Sequence, residues 1–245
     1  MAGQNLSEIS QVLPWGRSFD EYRAMFDLDG RAFPRAGAAP RVLDVGGGPA
    51  SFTAEAVARG WQALACDPLY ALDGAAIENR VEAARDQIMA LVRAERQRFV
   101  WTSIESPEAL ERLRLAAMAR FLEDYEAGRA AGRYRAEALP TLDWPDAVFD
   151  LALASHLLFL YSAQWDVAFH LAAIRELARV AAEVRIFPLL DMTGRPSAHL
   201  AAVLAGLRAE GFAADIRKVP YEFQRGGDEM LVVTPPRPEA VVRPG

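Results

Sequence analysis

Residues 41 to 51 read RVLDVGGGPAS. A short apolar run ends in a carboxylate, Asp44, and Gly46, Gly47 and Gly48 follow it. A glycine turn after a strand lets backbone N–H groups and a helix start approach a ligand closely. Three kinds of ligand compete for such a loop. A phosphate loop needs a Gly-Lys-Ser/Thr ending, and there is no lysine here. A dinucleotide loop needs Gly-x-Gly-x-x-Gly; Gly46 and Gly48 fit, but Ser51 stands in the third glycine's place. The third reading starts from Asp44, whose charge at the strand's end repels a pyrophosphate and favours an ammonium or sulfonium. Asp67 lies 19 residues after Gly48, at the tip of the next strand. A carboxylate there can accept from both hydroxyls of a ribose. Its alternative role is a turn residue ahead of Pro68.

The other groups able to do chemistry are few. His156 follows the apolar run FDLALAS and sits where a strand should end, which suits a general base. A packed, hydrogen-bonded histidine is the alternative. His170 falls on a largely apolar helix face and reads as structural, while His199 divides between surface and site. Three histidines and the lone Cys66 make no zinc pattern, and no nucleophile triad stands in a recognisable context. The N-terminal stretch LPWGRSFDEY offers Trp15 as a pocket cover and Arg17 as a partner for an anion. The same stretch also reads as a helix docked by its aromatic face. Tyr221, Phe223 and Arg225 fit core and turn roles.

The elements that must position these groups follow from periodicity. Ser18 with Glu21 three residues on predicts a capped helix over 18–28. Strand, glycine turn, helix and strand over 41–66 make a βαβ unit. Ile77, Val81, Ala84, Ile88 and Leu91 mark one buried helix face, and Leu110, Leu113, Ala117, Phe121 and Tyr125 mark another after Ser106-Pro107. The stretch 70–132 is longer than a crossover needs and reads as a helical insertion. Its arginines and acids nearly cancel, which predicts a solvated helical surface. Beyond it come a weak strand over 133–138, a buried strand over 149–154 and a helix over 165–181. A strand over 183–190, a helix over 196–210 and two strands over 214–219 and 230–233 complete the order, the last pair joined across Gly226-Gly227. Residues 30–40 read as a linker and 235–245 as a loosely ordered tail.

Composition bounds the rest. The chain has 245 residues, 52% hydrophobic, and one large domain is the default. A net charge of −6 disfavours nucleic acid, which needs Lys and Arg against phosphate. One cysteine forbids an intramolecular disulfide and fits a reducing cytoplasm. No segment is apolar for long enough to span a bilayer, and the start lacks a signal-peptide pattern.

The stretches VLDVGGGPASFTAEAVARG, ALACDPLY and ALPTLDWPDAVFDLALASHLLFL together resemble the class I S-adenosylmethionine-dependent methyltransferases. The resemblance implies a doubly wound α/β fold: a seven-stranded, mostly parallel sheet with an antiparallel strand inserted late. On that view residues 1–245 are a single methyltransferase domain, with a helical lid over 12–30 and the insertion over 70–132. The cofactor implied is S-adenosyl-L-methionine. Asp44, Gly46, Gly47 and Gly48 would border its methionine part, Asp67 its ribose, and Pro68 and Leu69 its adenine. Many members place an Asp after the third strand to meet the adenine amino group; here Glu137 or a backbone contact would take its place. Ser155 and His156 would face cofactor or acceptor, His156 as the possible base, and Arg17 the methionine carboxylate or an anionic acceptor. Motifs for base-amine or amide acceptors, such as Asn-Pro-Pro-Tyr, are absent. The implied function is methylation of a small or medium-sized molecule by direct displacement. The alternatives are RNA methylation and a noncatalytic cofactor-binding protein; the number of subunits is not readable.

Overall fold

The computed structural model describes residues 15–29 and 38–236. Most of the expected linker and tail, and the first residues of the expected lid, therefore lie outside the described residues. Helix α1 (Phe19–Met25) is followed by β1 (Arg41–Val45), α2 (Phe52–Ala58) and β2 (Gln62–Cys66). Two long helices come next, α3 (Gly74–Ala94) and α4 (Pro107–Ala130), then β3 (Tyr134–Arg135) and β4 (Leu151–Ser155). Helix α5 (Val167–Val180), β5 (Val184–Phe187), α6 (Leu200–Ala209), β6 (Ala213–Lys218) and β7 (Glu229–Thr234) complete the chain.

The seven strands form one sheet in the order β3-β2-β1-β4-β5-β7-β6. All neighbours are parallel except β7, which slots between β5 and β6 and is antiparallel to both. This is the doubly wound architecture that the resemblance implies. Strand order reverses between β1 and β4, and the carboxyl ends of those two strands open the crevice where such sheets bind ligands.

Each face of the sheet carries its own core. On one face Phe19, Tyr22, Phe26 and Phe52 pack on Val42, Leu151 and Leu153. On the other Ile174 and Leu177 of α5 and Val203 of α6 cover Leu43, Val45 and Ala152. Strand alternation explains why Asp44 shares a face with Val42 and so meets α1. The capping box of α1 forms as read: Ser18 accepts from the Glu21 backbone, and the Glu21 carboxylate takes the Ser18 N–H.

The insertion is an antiparallel helix pair. Gly74 meets Glu126, Arg85 meets Glu111, and Arg93 meets Glu108. Ser106 caps α4, with Pro107 in its first turn. Among the boundaries that differ from expectation, two have a plain physical cause. Strand β5 stops at Phe187 and not Leu190, because Pro188 has no N–H for the ladder. Helix α6 starts at Leu200 and not at 196; Ser197 instead donates its N–H to Leu189 and its hydroxyl pairs with Ser162. No described helix is long and apolar enough to cross a membrane.

Candidate ligand cavity

A cavity of about 890 Å³ opens at the carboxyl ends of β1, β2 and β4. That is near the top of the ~300–1,000 Å³ range of sites for drug-sized ligands. The loop after β1 supplies its floor. Gly46 and Gly48 have φ of +66° and +53°, a region that costs any side chain strain. Gly47 is held by space: a Cβ there would lie 2.4 Å from an Asp44 carboxylate oxygen. The Gly46 N–H donates to the Cys66 carbonyl at 2.8 Å, locking the turn to β2.

Asp67 joins the two loops. One carboxylate oxygen takes the Gly48 N–H at 3.0 Å and the other takes the Leu69 N–H at 2.8 Å. Burial pushes its pKa above the usual carboxylate range, and those two N–H groups pull the other way. Each oxygen keeps a lone pair for a ligand hydroxyl. The Tyr70 hydroxyl donates to the Gly48 carbonyl at 2.7 Å and fixes the loop from below. Pro68, Leu69 and Leu139 add apolar wall beside Asp67, and Glu137 also lines the cavity. The Glu137 carboxylate is already engaged, taking the Asp143 N–H at 2.9 Å and pairing with Arg135 at 3.2 Å.

Asp44 lies one layer behind the glycine loop and does not line the cavity. It is 1% exposed, and both its oxygens accept from the Tyr22 hydroxyl, at 3.0 and 3.2 Å. Burial, opposed by that hydrogen bond and aided by the Asp67 charge, pushes its pKa up to about 7. Tyr22 itself lines the cavity.

Ser155 and His156 end β4 at the cavity wall. His156 has φ of +52°, its N–H donates to Phe187 at 2.6 Å, and its ring packs edge-on to Phe187. Its Nδ1 lies 3.0 Å from the Ser155 hydroxyl. Burial, then the charges of Arg17 and Arg114, hold its pKa well below the ordinary value, so the ring is neutral. Arg17 lines the cavity with its Nε buried and unpartnered; its Nη1 donates to the Trp15 carbonyl at 3.1 Å. Its carbonyl takes the Ser51 N–H, seating the N-terminal segment on the glycine loop.

The structure thus brings Gly46, Gly47, Gly48, Asp67, Pro68, Leu69, Glu137, Ser155, His156 and Arg17 around one cavity, with Asp44 beneath it. His170 and His199 are elsewhere. His170 is fully buried between the Asp166 and Leu158 carbonyls, and His199 bonds the Ser162 carbonyl. Among the described residues no cluster of His, Cys, Asp and Glu could hold a metal ion.

The opposite wall was not foreseen from the sequence. It comes from α3, with Ala84, Gln87 and Ile88, and from Phe99, Leu110 and Arg114. The connection from β6 to β7 adds Phe223 and Gln224, so Phe223 is more than a turn residue. The expectation that the insertion's charges are solvated fails at Arg114, which is 1% exposed. It binds both oxygens of Glu21, at 2.6 and 2.5 Å, and the Tyr221 hydroxyl joins them at 3.1 Å. Burial pushes Glu21 up, and the Arg114 guanidinium outweighs it, holding Glu21 below its ordinary pKa. Arg114 follows Leu110 by one turn on the predicted buried stripe, and that position was the signal available. The segment between α3 and α4 is stitched to the β6–β7 connection by Val100 N–H to Phe223 and Arg225 N–H to Arg98.

No protein-family model matches this chain. Among solved structures it is similar to magnesium protoporphyrin IX methyltransferase from Synechocystis PCC 6803, crystallised with bound SAM. Identity is 13%, over 88% of this chain and 77% of that one, with a TM-score of 0.42. The N-methyltransferase NodS from Bradyrhizobium japonicum WM9 is 13% identical over 89% of this chain and 97% of its own, with a TM-score of 0.45. The uncharacterized protein MJ0045 of Methanocaldococcus jannaschii is 31% identical over 219 residues, spanning 89% of this chain and 94% of that protein. The chain belongs to the same family as this archaeal protein.

Proposed function

We propose that the protein is an S-adenosylmethionine-dependent methyltransferase acting on a small or medium-sized, largely apolar molecule. The observation that carries the reading is Asp67, a carboxylate fixed by two backbone N–H groups beside a side-chain-free loop, with lone pairs left for a ribose. The cradle fits S-adenosylmethionine better than a pyrophosphate. It offers no lysine and carries Asp44 just below the loop, and apolar Pro68, Leu69 and Leu139 line the cavity with Asp67, which supports an adenine on that side. Arg17 offers a buried Nε without a hydrogen-bond partner as a donor for a carboxylate.

S-adenosylmethionine supplies an activated methyl group, so displacement needs the protein mainly to align and to exclude water. Asp67 and the glycine loop hold one partner. The wall of Ile88, Phe99, Leu110 and Phe223 removes water from the other and gives it an apolar surface to lie on. His156, which lines the cavity beside Ser155, offers a ring nitrogen able to accept a proton. A walled cavity of this size suits a small acceptor; an RNA acceptor would need an open basic groove.

Incubation of the protein with methyl-labelled S-adenosylmethionine and fractionated cell extract tests the reading. Label transferred to a small-molecule fraction supports it. Label in RNA would replace the acceptor class, and no transfer to any fraction despite cofactor binding would favour a noncatalytic role.

A further inference from the structure

Helix α4 turns Leu110 and Arg114, one helical turn apart, toward the cavity. Arg114 is 1% exposed, and its two hydrogen bonds to Glu21 both leave from Nη1. The Nε N–H, on the other edge of the guanidinium, is buried and has no hydrogen-bond partner. Buried N–H groups are nearly always paired, and an unpaired one on a charged group is costly. Glu21 cannot turn to meet it, because the Ser18 N–H and the Tyr221 hydroxyl fix its two oxygens at 3.1 Å each. The ion pair does not explain that second edge. A lysine could pair with Glu21 and would leave no N–H on the far side.

Resting on the methyltransferase reading, we propose that the Nε edge of Arg114 anchors the methyl acceptor, and that the acceptor is a carboxylate on an apolar, ring-bearing body. Arg114 thereby has two roles on its two edges. Through Nη1 it ties the insertion to α1, and through Nε it reads the molecule that the insertion encloses.

Placement separates this anion from the cofactor's. Arg17 also has an unpartnered Nε, but its carbonyl takes the Ser51 N–H, so it belongs with the glycine loop. Arg114 belongs with Ile88, Phe99, Leu110 and Phe223 on the other wall. Phe99 and Phe223 stack there with centroids 4.9 Å apart and give a flat apolar surface for a ring. A planar carboxylate matches one guanidinium edge with two oxygens. A phosphate dianion calls for more cations than this wall supplies. The third arginine on the cavity, Arg80, is exposed, where water and salt screen its charge.

Titration calorimetry of the full chain saturated with S-adenosylhomocysteine tests the anchor. Benzoate and naphthoate are the probes, and benzamide and naphthamide are controls of the same shape without the charge. At least one carboxylate should bind, about tenfold or more tighter than its amide, the scale of a charge-assisted contact. Arg114→Lys keeps a cation for Glu21 and removes Nε, so it should abolish most of that preference. The double variant of Arg114→Met with Glu21→Gln, which leaves no charge of the pair buried alone, should do the same. Affinity for S-adenosylmethionine should not change in either variant. No bound carboxylate, amides bound as tightly as the acids, or a preference kept in both variants would overturn the anchor. So would a loss of S-adenosylmethionine affinity in Arg114→Lys, which would assign the guanidinium to the cofactor. If the unsubstituted chain binds no S-adenosylmethionine, the methyltransferase reading fails separately, and the same carboxylate titrations on the unliganded chain still decide the role of Arg114.

Discussion

The two walls of the cavity are held by opposite means. The cradle wall is made of short loops at strand ends, and its side chains bond to backbone a few residues away or on the next strand. The Asp67 contacts to Gly48 and Leu69 are of this kind, and the backbone bond from Gly46 to Cys66 ties the same two loops. The insertion wall is apolar and aromatic, and one buried ion pair anchors it across 93 residues, from Glu21 to Arg114. A ligand's polar part is thus met by preorganised local geometry, and its apolar part by a surface whose placement depends on long-range packing.

The sharpest way to break this contrast is at the ion pair. Arg114→Met leaves Glu21 buried without its partner and should cost about 3–5 kcal/mol in denaturant unfolding. The double variant with Glu21→Gln should recover much of that. If the single variant costs less than ~1 kcal/mol, the insertion is not held in this way.

The cradle stores a cost of its own at Asp44. Its folded pKa, about 7, lies above the ordinary carboxylate value, so the folded state binds more protons between the two. Stability should therefore fall as pH rises through that window, and level off above about 7. Asp44→Asn removes the slope and should be more stable than the parent at pH 8, by on the order of 2–4 kcal/mol, with little difference at pH 4. Parallel denaturation curves at both pH values would contradict the assignment.

Asp67→Ala sharpens the contrast from the ligand's side. It should weaken S-adenosylmethionine at least about tenfold by calorimetry, on the scale of losing charged hydrogen bonds. Unchanged affinity would remove Asp67 from the ribose. The smallest effect belongs to the exposed pairs that decorate the insertion. Arg93→Ala, which removes contacts to Glu108 and Glu111, should leave the thermal midpoint within measurement error.

The same division decides what could be read from sequence. Strands β1, β2 and β4, the glycine loop and the faces of α3 and α4 are written in adjacent residues as periodicity and turn chemistry. Ser18 with Glu21, and Ser106 with Pro107, mark helix starts as local patterns. The cradle residues were legible for that reason. Tyr22 as the partner of Asp44 was not, since nothing local tells an aromatic core residue from one whose hydroxyl meets a carboxylate. Arg114 looked like one charge among many on a balanced surface, because Glu21, its partner, lies in another element. Phe99 and Phe223 became cavity wall only when two loops paired across the fold through Phe99 and Gln224.

The central claim is that the glycine loop and Asp67 form a cradle for a sulfonium nucleoside and not for a dinucleotide. Titration calorimetry of the full chain with S-adenosylmethionine and, separately, with NAD tests it most directly. The account predicts saturable one-site binding of S-adenosylmethionine and no heat from NAD. Binding of NAD without S-adenosylmethionine would contradict it.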